Sequence, residues 1–244
     1  MGRTFENRKN AIAKRGARDN KAFTKAGRQL TMAVRAAGAD PSANPALRRA
    51  IQNARAVNMP KDKIQNAIDK ASGAQQGEEY QAVLYEGYGP HGIAFLVETA
   101  TDNPTRTVAN IRSYFKKAGG ALGNNGSVAF MFDHFGTFTL APAGLDRDSL
   151  ELELIDHGLE RLEEGETDEG ETAWVVYCPR EGFGAMQSAL ESRQITVISS
   201  AFKWVPRTLG NVNETQSEEL GALFDRLEED DDVQDVFCNL EIAD

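Results

Sequence analysis

The chain has 244 residues, 41% hydrophobic and 26% charged, which is enough to bury a core and excludes wholesale disorder. No apolar run nears the roughly 20 residues of a membrane helix, and two distant cysteines, Cys178 and Cys238, make neither a disulfide framework nor a zinc site, which fits a reducing cytosol. The formal net charge of −10 hides a dipole: residues 1–77 hold 16 Lys+Arg against 5 Asp+Glu, a net +11, and residues 78–244 carry −21.

Residues 1–20 are polar and basic, without periodicity, without the apolar stretch of a secretory signal, and with no Ser. From Lys21, the helical spacing of Phe23, Leu30, Val34 and Ala37 predicts a helix that Gly38 ends. Asn44 can cap a second helix with Pro45 at its first position. Asn58-Met59-Pro60 breaks it, and Ile64, Ala67, Ile68 and Ala71 mark a third. Residues 73–79 read as a linker. Beyond it, 80–86 and 93–99 read as strands, Asn103-Pro104 opens a helix, and Val128–Phe132 reads as a strand. Segments 135–140, 147–157, 159–163, 172–178, 183–192 and 195–204 then give β-α-β-β-α-β, the ferredoxin-like order. The tail adds a helix with Leu220, Leu223 and Leu227 on one face, and a strand in which Val236, Cys238, Leu240 and Ile242 alternate. One helix and one strand cannot bury themselves alone. The expected fold is therefore α/β (α+β) in three domains: a basic helical domain (1–77), an α/β domain (78–133 plus 206–244), and an inserted ferredoxin-like domain (134–205).

The strongest functional signal is a row of cations. Lys14, Arg18, Lys21, Lys25, Arg28 and Arg35 share one helical face opposite the apolar stripe, interrupted in sign only by Asp19. An ordinary solvated face mixes signs, so the row points to a polyanion. Arg8, Lys9, Arg48, Lys61 and Lys63 extend it. Only Phe5 and Phe23 among the aromatics lie in this part, so it lacks the stacking platform of a single-strand binder and should grip phosphates and shape. Residues 46–71 also admit a helix–turn–helix reading, with Lys61, Lys63 and Gln65 near the start of the reading helix, though a plain helical hairpin is the commoner arrangement.

Two glycine-rich loops, 87–92 and 119–127, match no Walker pattern, and the second precedes a strand rather than a helix. The first, with Tyr85, Tyr88, Pro90 and His91, is expected to be an exposed partner-contact loop. The acidic run Glu228–Asp232 is expected to be a solvated turn. Carboxylates at Glu163, Glu164, Glu166, Asp168 and Glu169 crowd a polar turn, and no nucleophile, paired-cysteine or metal-ligand pattern stands out, so no enzyme, no catalytic residue, no metal and no cofactor is expected.

Several strings together resemble the YebC/PmpR family. They are Asp40-Pro41 with Asn44-Pro45-Ala46-Leu47-Arg48, then Asn58-Met59-Pro60-Lys61-Asp62, and Tyr85-Glu86-Gly87-Tyr88-Gly89-Pro90. Thr101-Asp102-Asn103 with Arg106-Thr107-Val108 follows, then Gly119-Gly120, Leu122-Gly123, Gly126-Ser127-Val128, and Asp231-Asp232-Val233-Gln234. They run in order over nearly the whole chain. At the start, Gly2-Arg3-Thr4-Phe5-Glu6-Asn7 stands where the family usually has His-Ser-Lys-Trp. The resemblance implies a cytoplasmic, probable DNA-binding transcriptional regulator without a cofactor. Its alternative is a ribosome-associated translation factor that binds ribosomal RNA and relieves stalling, as at proline runs, since the family includes mitochondrial translational activators. The expected partner is thus nucleic acid, DNA or ribosomal RNA, the latter on the ribosome, with no membrane and no oligomeric state assigned.

Overall fold

In the computed structural model, helix α1 runs Gly2–Ala37, well ahead of the start expected near Lys21. Residues 2–20 hold no proline and are rich in Arg, Lys and Ala, all good helix formers. Apolar periodicity marks a buried face, so a helix without one gives no such signal. The structure describes residues 2–73, 79–167 and 170–240, with side chains from residue 20 onward. The chain divides into two units, Met1–Tyr80 and Gln81–Asp244.

The first unit adds α2 (Pro45–Ala56) and α3 (Lys61–Ser72). Ala26, Leu30, Ala33 and Val34 of α1 pack on Leu47, Ala50 and Ala54 of α2 and on Ile64 and Ile68 of α3. Asn44, fully buried, joins two of these helices. Its Oδ1 accepts from Leu47 N at 3.0 Å, and its Nδ2 donates to Ala33 O at 2.7 Å and Gly38 O at 2.8 Å.

The second unit holds two four-stranded antiparallel sheets. Strands β1 (Gln81–Tyr88) and β2 (Ala94–Thr101) precede α4 (Pro104–Lys117) and the short β3 (Ala121–Leu122). After β4 (Phe132–Leu140) come α5 (Arg147–Ile155), β5 (Arg161–Glu166), β6 (Thr172–Pro179), α6 (Phe183–Ser192) and β7 (Val197–Pro206). The chain then forms α7 (Glu214–Glu228) and β8 (Val233–Cys238). The sheet orders are β3-β1-β2-β8 and β5-β6-β4-β7, the second being ferredoxin-like. The last strand thus returns to the first sheet, with Phe95 opposite Cys238. Ile242 and Asp168-Glu169 lie outside the described residues.

On one face of the first sheet, Phe95 and Val97 meet Ile111 and Phe115 of α4 and Leu220, Leu223 and Leu227 of α7. On the other, Ala94 and Leu96 meet Val128, Phe132 and Trp204. Val128–Phe132, expected as a strand, is instead a 3-10 turn at Ala129–Met131 that leads into β4. The cause is Glu86, which is 5% exposed. Its carboxylate accepts from the backbone N–H groups of Gly126 (2.6 Å), Val128 (2.9 Å) and Ala129 (2.8 Å). Those donors are therefore unavailable to a ladder.

The acidic run is not a solvated turn. Asp232 is 3% exposed and takes hydrogen bonds from the Thr107 hydroxyl (2.7 Å) and Arg106 Nη2 (2.8 Å), with Thr101 Oγ1 at 3.2 Å. Asp230 Oδ2 accepts from Tyr114 OH at 2.9 Å and Asn110 Nδ2 at 3.2 Å. Burial, with Asp230 close by, pushes the Tyr114 hydroxyl up to about 12. The run therefore docks α7 and β8 onto α4.

Burial pushes the Glu86 carboxyl up, but its three backbone N–H partners outweigh this and hold it below the usual carboxylate value. A lowered folded value contributes stability above the unfolded value, near 4.5, and loses it as pH falls through the folded one. Glu86→Gln should therefore cost about 2 kcal/mol at pH 7. In thermal melts, its deficit relative to the parent chain should shrink as pH drops below about 4.5.

Candidate nucleic-acid interface

The helical unit carries the row of cations expected on α1. Helix geometry puts Lys21, Lys25, Arg28 and Arg35 on the side away from buried Leu30 and Val34. Lys21, Lys25 and Arg28 are half-buried, and Arg35 is exposed in the last turn, where the helix dipole favours a cation. Arg8, Lys9, Lys14 and Arg18 belong to the same continuous helix, but their side chains lie outside those described.

The flanking cations divide into different roles. Arg48 donates through Nη1 to the carbonyls of Pro41 (2.8 Å) and Ser42 (3.0 Å), so it braces the turn between α1 and α2. Lys61 and Lys63 are exposed in the first turn of α3. Lys63 Nζ sits 4.8 Å from the ring centroid of Phe23, on the apolar side of α1. It therefore borders the α1–α3 groove lined by Asn20, Phe23, Met59 and Lys70, and does not extend the row through Lys21 and Arg28.

Two features escaped the sequence reading. The Arg28 guanidinium lies 5.0 Å from the Tyr80 ring centroid, which gives this basic surface an aromatic neighbour just beyond the linker. The two residues are 52 positions apart in the sequence, so the pair leaves no periodic trace. Gln65, the candidate base reader of α3, donates its amide to Asp69 Oδ1 at 2.8 Å, one helical turn along.

The expected partner-contact loop needs correction. Tyr85 and Tyr88 lie in β1 rather than in a loop, and Tyr85 and Pro90 are buried. The Tyr85 hydroxyl donates inward to Pro104 O at 3.3 Å. Of the four, Tyr88 and His91 are exposed. His91, at φ 62°, is pinned between Glu219 (2.7 Å) and Gln216 (3.3 Å). The glycines here serve close approach: a Cβ on Gly87 would sit 2.8 Å from Ala121 O, and one on Gly89 2.7 Å from the Phe95 ring. In the second glycine-rich loop, the Gly126 N–H is spent on the Glu86 carboxylate and those of Gly119, Gly120, Gly123 and Ser127 on backbone carbonyls, so they form no phosphate cradle. Among the described residues, no three His, Cys, Asp or Glu side chains are grouped to hold a metal, and no helix is long and apolar enough to cross a membrane.

Comparison with known proteins agrees over both units. Residues 3–74 match the model of the TACO1/YebC protein N-terminal domain, and residues 80–240 that of the TACO1/YebC second and third domain. A probable transcriptional regulatory protein of Anaeromyxobacter dehalogenans strain 2CP-C is 52% identical over 98% of this chain and 100% of its own. One so named from Myxococcus xanthus is 50% identical over 98% and 100%. The crystal structure of a conserved hypothetical protein from Aquifex aeolicus superposes with a TM-score of 0.79, at 33% identity, covering 92% of this chain and 91% of that one.

The split among the cations predicts a split in behaviour. Arg48→Ala should cost about 1 kcal/mol of stability in thermal melts, yet elute from a heparin column near the parent's salt concentration. Arg35→Ala should elute earlier and melt normally.

Proposed function

This chain belongs to the TACO1/YebC family, and on that footing we propose that it regulates gene expression by binding nucleic acid through its helical unit. The observation that carries the reading is the row Lys21, Lys25, Arg28 and Arg35 along one side of α1, in a chain otherwise strongly acidic. Cations at this spacing meet successive phosphates and release their counterions. The names of the curated relatives point to transcription and so to DNA as the target. On this reading the protein is cytoplasmic, acts by occupancy and makes no covalent step.

A second reading, ribosomal RNA as the target with an effect on translation, draws support from Gln65. With that amide engaged by Asp69, the start of α3 offers cations rather than a base-edge reader. Recognition then rests on backbone and shape, which suits a structured RNA.

Reversing Lys21, Lys25 and Arg28 together to Glu should weaken binding to every nucleic acid and flatten the slope of log K against log salt by about three. Unchanged affinity in that variant would sink the proposal. Sedimentation of lysate separates the two targets: RNase-sensitive migration with ribosomal particles supports RNA, and a peak confined to the top of the gradient at low salt supports DNA.

A further inference from the structure

Both helices of the ferredoxin-like sheet pack on one face, against Phe138, Leu140, Leu162 and Val176. Strand alternation turns the residues between these to the opposite face. There, Tyr177 of β6 lies opposite Thr137 of β4 and Arg161 of β5, while Phe135 of β4 lies opposite Lys203 of β7. The two central strands thus each present an aromatic ring. The rings of Phe135 and Tyr177 meet edge to face, 6.1 Å apart at 89°, and both are half-buried. The Arg161 guanidinium spans the pair, 4.3 Å from the Tyr177 centroid and 5.4 Å from that of Phe135.

Charge is sorted across this sheet. Residues 134–205 hold five basic and fourteen acidic side chains, a net −9. On the open face, Glu163 is paired with Arg161 at 3.2 Å, and Asp133 at its rim with Arg207 at 2.9 Å. Exposed Lys203 is added to these pairs, so the five side chains sum to +1 within an acidic segment, and Glu163 also meets the Tyr177 hydroxyl. Paired rings on the two central strands of a four-stranded sheet, a stacking guanidinium and a local positive charge suit unpaired bases on a phosphate backbone. The hydroxyls of Thr139 and Ser199, opposite one another further along the same face, suit a 2′-hydroxyl.

We propose that this face is a stacking platform for single-stranded RNA. It is separate from the cation row of α1 and does not depend on that row's target. Each ring removed should weaken binding by about 10-fold, the usual worth of one stacked base.

The test uses the full chain and a 5-iodouridine-substituted uridine 12-mer, in the parent and in the Lys21/Lys25/Arg28→Glu background, so that failure of α1 and failure of this face are told apart. Photo-crosslinks should fall on peptides 132–140 and 172–179 in both. Phe135→Leu with Tyr177→Leu should abolish them there and cut uridine 12-mer affinity about 100-fold while circular dichroism stays unchanged. Should that pair unfold, Arg161→Ala gives the same test on a side chain at the edge of the platform. Crosslinks confined to residues 1–80, or affinity indifferent to these substitutions, would overturn the platform. Equal affinity for a thymidine 12-mer would overturn its assignment to RNA.

Discussion

A polar group taken out of water must find partners, and in this chain three such groups decide where the connecting segments go. Asn44 ties the end of α1 to the start of α2. Glu86 gathers the loop at Gly126–Ala129 and bends the chain out of the first sheet toward the second. Asp232 fixes the start of β8 to Thr101, Arg106 and Thr107, and so closes the first sheet. Each reaches across the sequence, and each would leave a stranded charge or amide if its partners moved. The hydrophobic cores supply the bulk of the stability, but these groups choose among the ways of arranging them.

What was legible in the sequence was local. Asn44-Pro45 and Asn103-Pro104 announce helix starts, because cap and first turn lie within four residues. The β-α-β-β-α-β order is readable because strand and helix periods differ. The missed features depend on distant partners. Nothing near Val128 says that Glu86, some forty residues earlier, will take its N–H group. Nothing in Glu228–Asp232 says that two of its carboxylates are held by α4. Tyr85 and Pro90 look like a contact loop until the Phe95 core is built around them. For the candidate interface, the α1 cations were visible as a pattern, but the bracing role of Arg48 and the Tyr80 ring beside Arg28 were not.

The strings that carry the family resemblance include several of these structural residues: Asn44, Glu86, Arg106, Thr107 and Asp232. These five hold turns and sheet edges together, and of them only Arg106 faces solvent. Membership in the family therefore speaks strongly about architecture and less about the molecule that is bound. The surfaces proposed to meet nucleic acid, the outward side of α1 and the open face of the second sheet, are built from residues outside those strings.

The pairing of β2 with β8 has a consequence for how the protein comes into being. Strand β2 is made well before its neighbour β8, so its outer edge stays unpaired until residues 233–238 have been made. The ferredoxin-like segment, complete by Pro206, can fold first and wait. A chain released a few residues short of Val233 would keep that second sheet but carry a raw, apolar edge on the first, an invitation to aggregation or to proteolysis.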